Sequence, residues 1–214
     1  MKNYFLAPRS GEKSYKNFQS TIKNGIPLDR ISSYLTPTEV SILSSEHIIY
    51  AWGNREGTRS AWEQMKIGDT VIFYATRALV MTGEVYLKKH SPDLALAMWP
   101  PDEKGNPWEY TFFIRNLKYI SIPIKVYYSI VGHNPEAIVQ GFKSIKDEYV
   151  KKIVDQYGSI ESMLDLFEDK NSEEMPSLGD KLYINVPEEI EPLIIENQKL
   201  NPKIGTEKLS RKNN

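Results

Sequence analysis

Trp52, Trp99 and Trp108 each stand beside a loop rich in glycine or proline. Trp52 precedes Gly53-Asn-Arg-Glu-Gly57, Trp99 precedes Pro100-Pro101, and Trp108 follows Gly105-Asn-Pro107. Tyr74 closes a run of β-formers that opens at Gly68-Asp69. Loops carry function more often than the elements they join, and an indole face accepts a flat base or a methylated amine. Stacking on an aromatic is worth roughly 1–3 kcal/mol per base. Two such walls would offset the few kcal/mol needed to take a base out of a duplex. Arg9, Arg55, Arg59 and Arg77 would then hold the phosphates. An isolated tryptophan is more often core than ligand wall. Trp62, inside an expected helix and followed by Met65, is assigned to the core on that ground.

Other chemistries find less support. The chain has no cysteine, which excludes disulfides, thiolate metal sites and a cysteine nucleophile. His47, His90 and His133 lie far apart and lack a second ligand at helical or turn spacing, so no metal and no cofactor is expected. A metal-dependent nuclease would want an acid followed on a neighbouring strand by Glu-x-Lys. Asp69 and Glu84 are spaced for this, but position 86 is Tyr, and Glu168-Asp-Lys170 sits at a helix end in an acidic stretch. Pro8-Arg-Ser-Gly-Glu-Lys-Ser14 lacks the first glycine of a phosphate loop and carries Glu12 between Gly and Lys. Neither Gly-x-Gly-x-x-Gly nor Gly-x-Ser-x-Gly occurs. Asp69, Glu84 and Glu109 are the only nominees for a hydrolase.

The elements that must position these residues can be read in order. Tyr4–Ala7 is expected as a first strand, ended by Pro8, and Tyr15–Lys23 as a weak helix. Thr36-Pro-Thr-Glu39 combines an N-cap, a first-turn proline and a capping-box acid ahead of a helix. His47–Trp52 reads as a strand stopped by Gly53-Asn54, and Ser60–Met65 as a short helix. Thr70–Ala75 and about Leu79–Leu87 form a meander, because no crossover helix fits between them. Ser91-Pro-Asp opens a helix over Leu94–Trp99, and Tyr110–Arg115 is a strand. Ile120–Ile130 is expected to hold one or two strands broken at Pro123. A second capping box, Ser144–Asp147, precedes a helix with Ile145, Tyr149, Ile153 and Tyr157 on one face, and Ser159 starts another ending near Phe167. Residues 169–180 read as a linker, followed by a possible strand at Leu182–Val186 and a helix from Pro187. The whole is an α+β domain on a curved sheet or small β-barrel flanked by short helices.

The 214 residues carry 27 Lys+Arg and 28 Asp+Glu, a net of −1. Residues 1–160 hold 20 bases and 16 acids (+4), residues 161–191 hold 2 and 10 (−8), and the last 23 hold 5 and 2 (+3). A basic body with an acidic segment permits a polyanion partner without requiring one. The apolar run at the N-terminus is too short for a signal peptide and no stretch reaches the ~20 apolar residues of a membrane span, so a cytoplasmic setting without a membrane partner is expected.

Ile49-Tyr-Ala-Trp-Gly53 followed by Trp62-Glu-Gln-Met-Lys-Ile-Gly-Asp-Thr-Val-Ile-Phe-Tyr74 resembles the branch of the PUA-like superfamily that holds the EVE and YTH domains. Gly83-Glu-Val85, His90-Ser-Pro-Asp-Leu-Ala95 with Trp99, Trp108–Phe113, Ile122-Pro123 and Gln140–Ile145 continue the pattern in order. It is most similar to the N-terminal base-recognition domain of McrB-type modification-dependent restriction proteins, over residues 1–167, with 168–214 as an acidic linker and extension.

The resemblance implies a PUA-like fold, without catalysis, that flips a modified base of nucleic acid into an aromatic cage. Trp52 matches the cage tryptophan after the second strand, and Trp99 or Trp108 would supply the opposing wall. The backbone from Ala7 to Ser10 matches the strand end that reads the base edge in YTH domains, and Asn54 would bond the same edge. Where eukaryotic YTH domains carry Lys-Ser-Asn, this chain has Pro8-Arg-Ser10. N6-methyladenine is favoured over a modified cytosine, and DNA over RNA. A nuclease or a GTP-hydrolysing motor is implied as partner subunit or domain, and the chain itself carries no Walker motif. The alternatives are an RNA-binding EVE/YTH-type module and a PUA-like small-molecule or nucleotide hydrolase.

Overall fold

The computed structural model describes residues 2–9 and 11–168. Their frame is one six-stranded mixed sheet, order β2-β5-β4-β3-β1-β6, with β1 at Tyr4–Pro8, β2 at Tyr50–Asn54, β3 at Thr70–Ala75, β4 at Ala78–His90, β5 at Tyr110–Pro123 and β6 at Lys143–Ser144. β1 runs parallel to β3 and the other pairs are antiparallel. Eight α-helices surround it: α1 Glu12–Phe18, α2 Leu28–Ile31, α3 Pro37–Leu43, α4 Arg59–Gln64, α5 Pro92–Met98, α6 Ile124–Val131, α7 Asp147–Tyr157 and α8 Ile160–Leu166. The described chain is thus α+β on a curved sheet, as the sequence pattern indicates.

The curl has a local cause. The β4–β5 ladder shifts register at Leu79/Met81, Thr82/Glu84 and Val85/Leu87, and β3–β4 shifts at Phe73/Tyr74. Each bulge adds local twist and bends the strand. The long β4–β5 ribbon therefore wraps until side chains from distant strands meet inside it. Trp52 on β2 reaches Phe73 on β3 at 5.7 Å, and Phe112 on β5 reaches Phe142, which stacks on Phe5 of β1.

Strand alternation sorts the apolar side chains into three clusters. Phe5, Ala7, Val71, Phe73, Trp52 and Phe112 fill the inside of the curl together with Phe18 and Met65. Tyr4, Leu6, Ile72 and Tyr74 point the other way, under α6, α7 and α8. Ala51 and Phe113 face a third cluster with Ile31, Leu43, Leu94 and Trp99. β1 and β3 are buried on both faces, which explains their continuous apolar runs.

Three expectations are corrected. Ile120–Ile130 does not hold one or two further strands: Ile120–Pro123 is the end of β5, and the chain beyond Pro123, Ile124–Val131, is helical. Six residues of that helix are buried, so packing overrides the β-preference of Ile, Val and Tyr. Ser144 does not cap α7, because β6 takes it into a pairing with Phe5 and Lys146 is the N-cap. Gly53 does not stop β2, which runs on through Asn54. The expected linker, strand and helix beyond residue 168 lie outside the described residues.

Asp69 fastens the two parallel strands at their start. Its Oδ1 accepts the backbone N–H of Asn3 at 2.8 Å and its Oδ2 that of Lys66 at 2.7 Å. Asp69→Ala leaves two part-buried backbone donors without their acceptor, and is expected to lower the unfolding free energy by about 1–3 kcal/mol in urea titration. A loss below about 1 kcal/mol would show that the anchor lies elsewhere.

Candidate nucleic-acid interface

The ends of β1 and β2 lie on the inner cluster of the curl. Pro8 pairs with Tyr74, and the Arg9 N–H donates to the Tyr74 carbonyl at 2.7 Å. The Arg9 guanidinium is buried, 4.9 Å from the Tyr15 ring and 5.1 Å from Phe18, and burial pulls its pKa downward. Phe18 meets Trp52 edge-on at 6.0 Å and Phe73 at 5.5 Å. Directly after Phe18 the helix widens into a π-turn over Gln19–Lys23, a form concentrated at functional sites. Thr21 in that turn donates its hydroxyl to the Ala51 carbonyl at 2.7 Å and accepts from Trp99 Nε1 at 3.3 Å. One hydroxyl thereby joins α1's extension, β2 and the end of α5.

Residues 52–54 of β2 divide between two faces. Trp52 and Asn54 share the inner face, and both are 5% exposed. Gly53 points to the other face, where a Cβ would stand 2.7 Å from Trp99 Cζ3 and 2.6 Å from the Trp108 carbonyl. Trp99 and Trp108 therefore close on the strand directly behind Trp52. The Asn54 Nδ2 is buried with no hydrogen-bond partner among the described residues. So is the Thr111 hydroxyl, opposite Gly53 on β5.

Trp108 is half-buried beneath the Arg55 guanidinium at 5.0 Å. Arg55 Nη1 lies 3.0 Å from Asp102 Oδ2. Asp102 is held well below the usual carboxylate range, first by the Asn106 N–H and then by Arg55 and the Lys104 N–H. Arg59 bridges Glu56 and Glu63, and Arg77 meets Glu136.

The structure thus gathers Ala7, Arg9, Trp52 and Asn54 around the inside of the curl, with Trp99 and Trp108 behind them. Tyr74 does not join this group, since it faces the cluster under α6. Arg9 lies among aromatic rings rather than on the surface. Ser10 lies outside the described residues. Trp62 packs against the inner cluster, with its Nε1 donating to Thr111 and the Lys88 ammonium 4.2 Å from its ring. Phe18 and Thr21 were missed by sequence reasoning, because nothing in Asn17–Ile22 distinguishes a π-turn from a weak amphipathic helix.

The hydrolase nominees are dispersed: Asp69 anchors backbone, Glu84 pairs with Arg115, and Glu109 pairs with His90. No group of three His, Cys, Asp or Glu that could hold a metal occurs among the described residues, and none of their helices is long and apolar enough to cross a membrane.

No protein-family model matches the chain, and no curated protein does. Among solved structures it is similar to the N-terminal domain of McrB from Thermococcus gammatolerans bound to m5C DNA. The two share a fold. The match has a TM-score of 0.56 at 19% identity and covers 72% of this chain and 96% of the McrB domain.

Gly53 is the tightest point of the site, and Gly53→Ala must push Trp99 and Trp108 apart. Overpacking of this kind costs about 1–3 kcal/mol. A red shift of the tryptophan emission with a lowered melting temperature is expected. An unchanged spectrum would mean that the two indoles do not close on β2.

Proposed function

We propose that this chain reads a methylated base in duplex DNA, drawing the base out of the stack and seating it beside Trp52 with its edge on Asn54. The observation that carries the reading is the Asn54 side chain, 5% exposed, with its Nδ2 lacking a partner among the described residues and sharing the inner face of β2 with Trp52. A buried polar group left unpaired costs about 1–3 kcal/mol. A nucleobase edge carries both acceptors and donors, so it satisfies the carboxamide whichever way the amide is turned.

The fold shared with a domain solved on methylated DNA supports the same ligand class. That domain's DNA carries 5-methylcytosine, which sets modified cytosine level with N6-methyladenine as the candidate base. Trp52 is closed in by Phe18 and Phe73, so a stacked base requires Phe18 to yield. The π-turn beside Phe18 is the element suited to doing so. In this reading the chain serves a restriction system as its specificity element, beside a nuclease or a GTPase motor.

The test is binding of the whole chain to duplexes carrying N6-methyladenine, 5-methylcytosine or neither, with RNA of the same sequence as a fourth ligand. One methylated duplex is expected to bind about tenfold or more tighter than plain DNA, with affinity falling as salt rises. Asn54→Ala removes an unsatisfied polar group, so it should keep or raise thermal stability while the preference drops to about twofold or less. Equal binding of plain DNA by the parent chain, or full preference in Asn54→Ala, would refute the reading. Preference for the RNA would move it to the RNA-binding alternative.

A further inference from the structure

The loop at 99–109 between α5 and β5 carries two acids at its turn, and both reach bases on other elements. Asp102 Oδ2 lies 3.0 Å from Arg55 Nη1, just past β2, and Glu103 Oε1 lies 3.7 Å from Lys13 Nζ on α1. The pattern recurs around the rim. Glu136 stands 3.6 Å from Arg77 and 3.1 Å from Lys125, and Glu56 and Glu63 take Arg59. Each exposed arginine expected at a phosphate already faces a carboxylate.

Asp102 is the one built in place. Its side chain is 10% exposed, whereas that of Arg55 is 53% exposed. Oδ1 accepts the backbone N–H groups of Lys104 and Asn106, both at 2.9 Å, and Oδ2 accepts from Arg55 and the Asn106 side chain. The carboxylate is fixed by its own loop with one oxygen turned to the guanidinium. An acceptor in this geometry presents to Arg55 what a phosphate oxygen would present.

We propose that Asp102 is a resident phosphate mimic, occupying Arg55 until a DNA backbone displaces it, with Glu103 acting in the same sense at Lys13. The inference rests on the DNA-reading function proposed above. Contacts to phosphate are the same for methylated and plain DNA. Quenching Arg55 therefore weakens only the affinity common to all DNA, and leaves the base-dependent part intact. On exchange Asp102 keeps its bonds to Lys104 and Asn106 and returns only Oδ2 to water, so the loop need not unfold.

Asp102→Asn tests this directly, because the amide retains the Oδ1 acceptor and removes the charge facing Arg55. Affinity of the whole chain for methylated and plain duplexes is expected to rise by a similar factor, up to about fivefold. The slope of log K against log salt should steepen by about one. In an Arg55→Gln background the same change should have no effect on either quantity. Glu103→Gln, at a well-exposed position, should raise affinity more weakly, and it decides the matter if Asp102→Asn does not fold. A fall or no change in affinity in Asp102→Asn would overturn the proposal, because Asp102 would then be orienting Arg55 for DNA rather than competing with it. A parent chain that binds no DNA defeats both readings. A parent that discriminates without any gain in Asp102→Asn defeats this one alone.

Discussion

The space beside residue 53 admits no side chain, and much of the site follows from that. With hydrogen alone at Cα, the Trp108 backbone and the edge of Trp99 come within side-chain distance of β2. The end of α5 and the start of β5 are thereby fixed against one face of the strand, and Trp99 can reach the Thr21 hydroxyl. The same closeness sets what lies on the other face. Trp52 and Asn54 turn inward because 53 turns outward, and a strand held this firmly keeps both on the inner face of the curl.

Two of the buried polar groups without a partner lie on the strand pair that carries Trp52. The Asn54 amide and the Thr111 hydroxyl lie on opposite faces of the same β2–β5 ladder, each without a partner among the described residues. Native interiors pair such groups almost everywhere. Asp69 shows the usual solution, with two backbone donors converging on its carboxylate. Among the described residues, unpaired hydroxyls also occur at Thr76, Tyr86, Tyr127 and Tyr157, but Asn54 is the one that shares the inner face of β2 with Trp52.

Much of this was legible in the residues. The capping box at Thr36-Pro-Thr-Glu39 is present in full, and Ser91 and Ser159 cap their helices as their types suggest. The β3–β4 meander follows from the two-residue gap at Thr76-Arg77. What escaped reading depends on contacts distant in sequence. Gly53 looks like a strand breaker until Trp99 and Trp108 are seen to require it. Ile124–Val131 has the composition of a strand and becomes a helix because six of its side chains find a core on helical spacing. Trp52, Asn54 and Trp108 could be nominated from type and neighbourhood, whereas Tyr74 alternates with Phe73 onto the face of Ile72, and which face of β3 meets the inner cluster is decided only by the packing of distant elements.

The parallel pairing of β1 with β3 also governs the order in which the molecule can come together. Tyr4 must wait for Thr70, and Tyr50 for Ile114, whereas β3, β4 and β5 are joined through neighbours in sequence. Closing the longer loops costs entropy that the local ribbon does not incur. During synthesis, the first strand leaves the ribosome with no partner available. Loop-closure entropy therefore favours pairing within the β3–β4–β5 ribbon ahead of β1 with β3 and β2 with β5. Pairings that close the longest loops are the ones whose loss returns the most chain entropy.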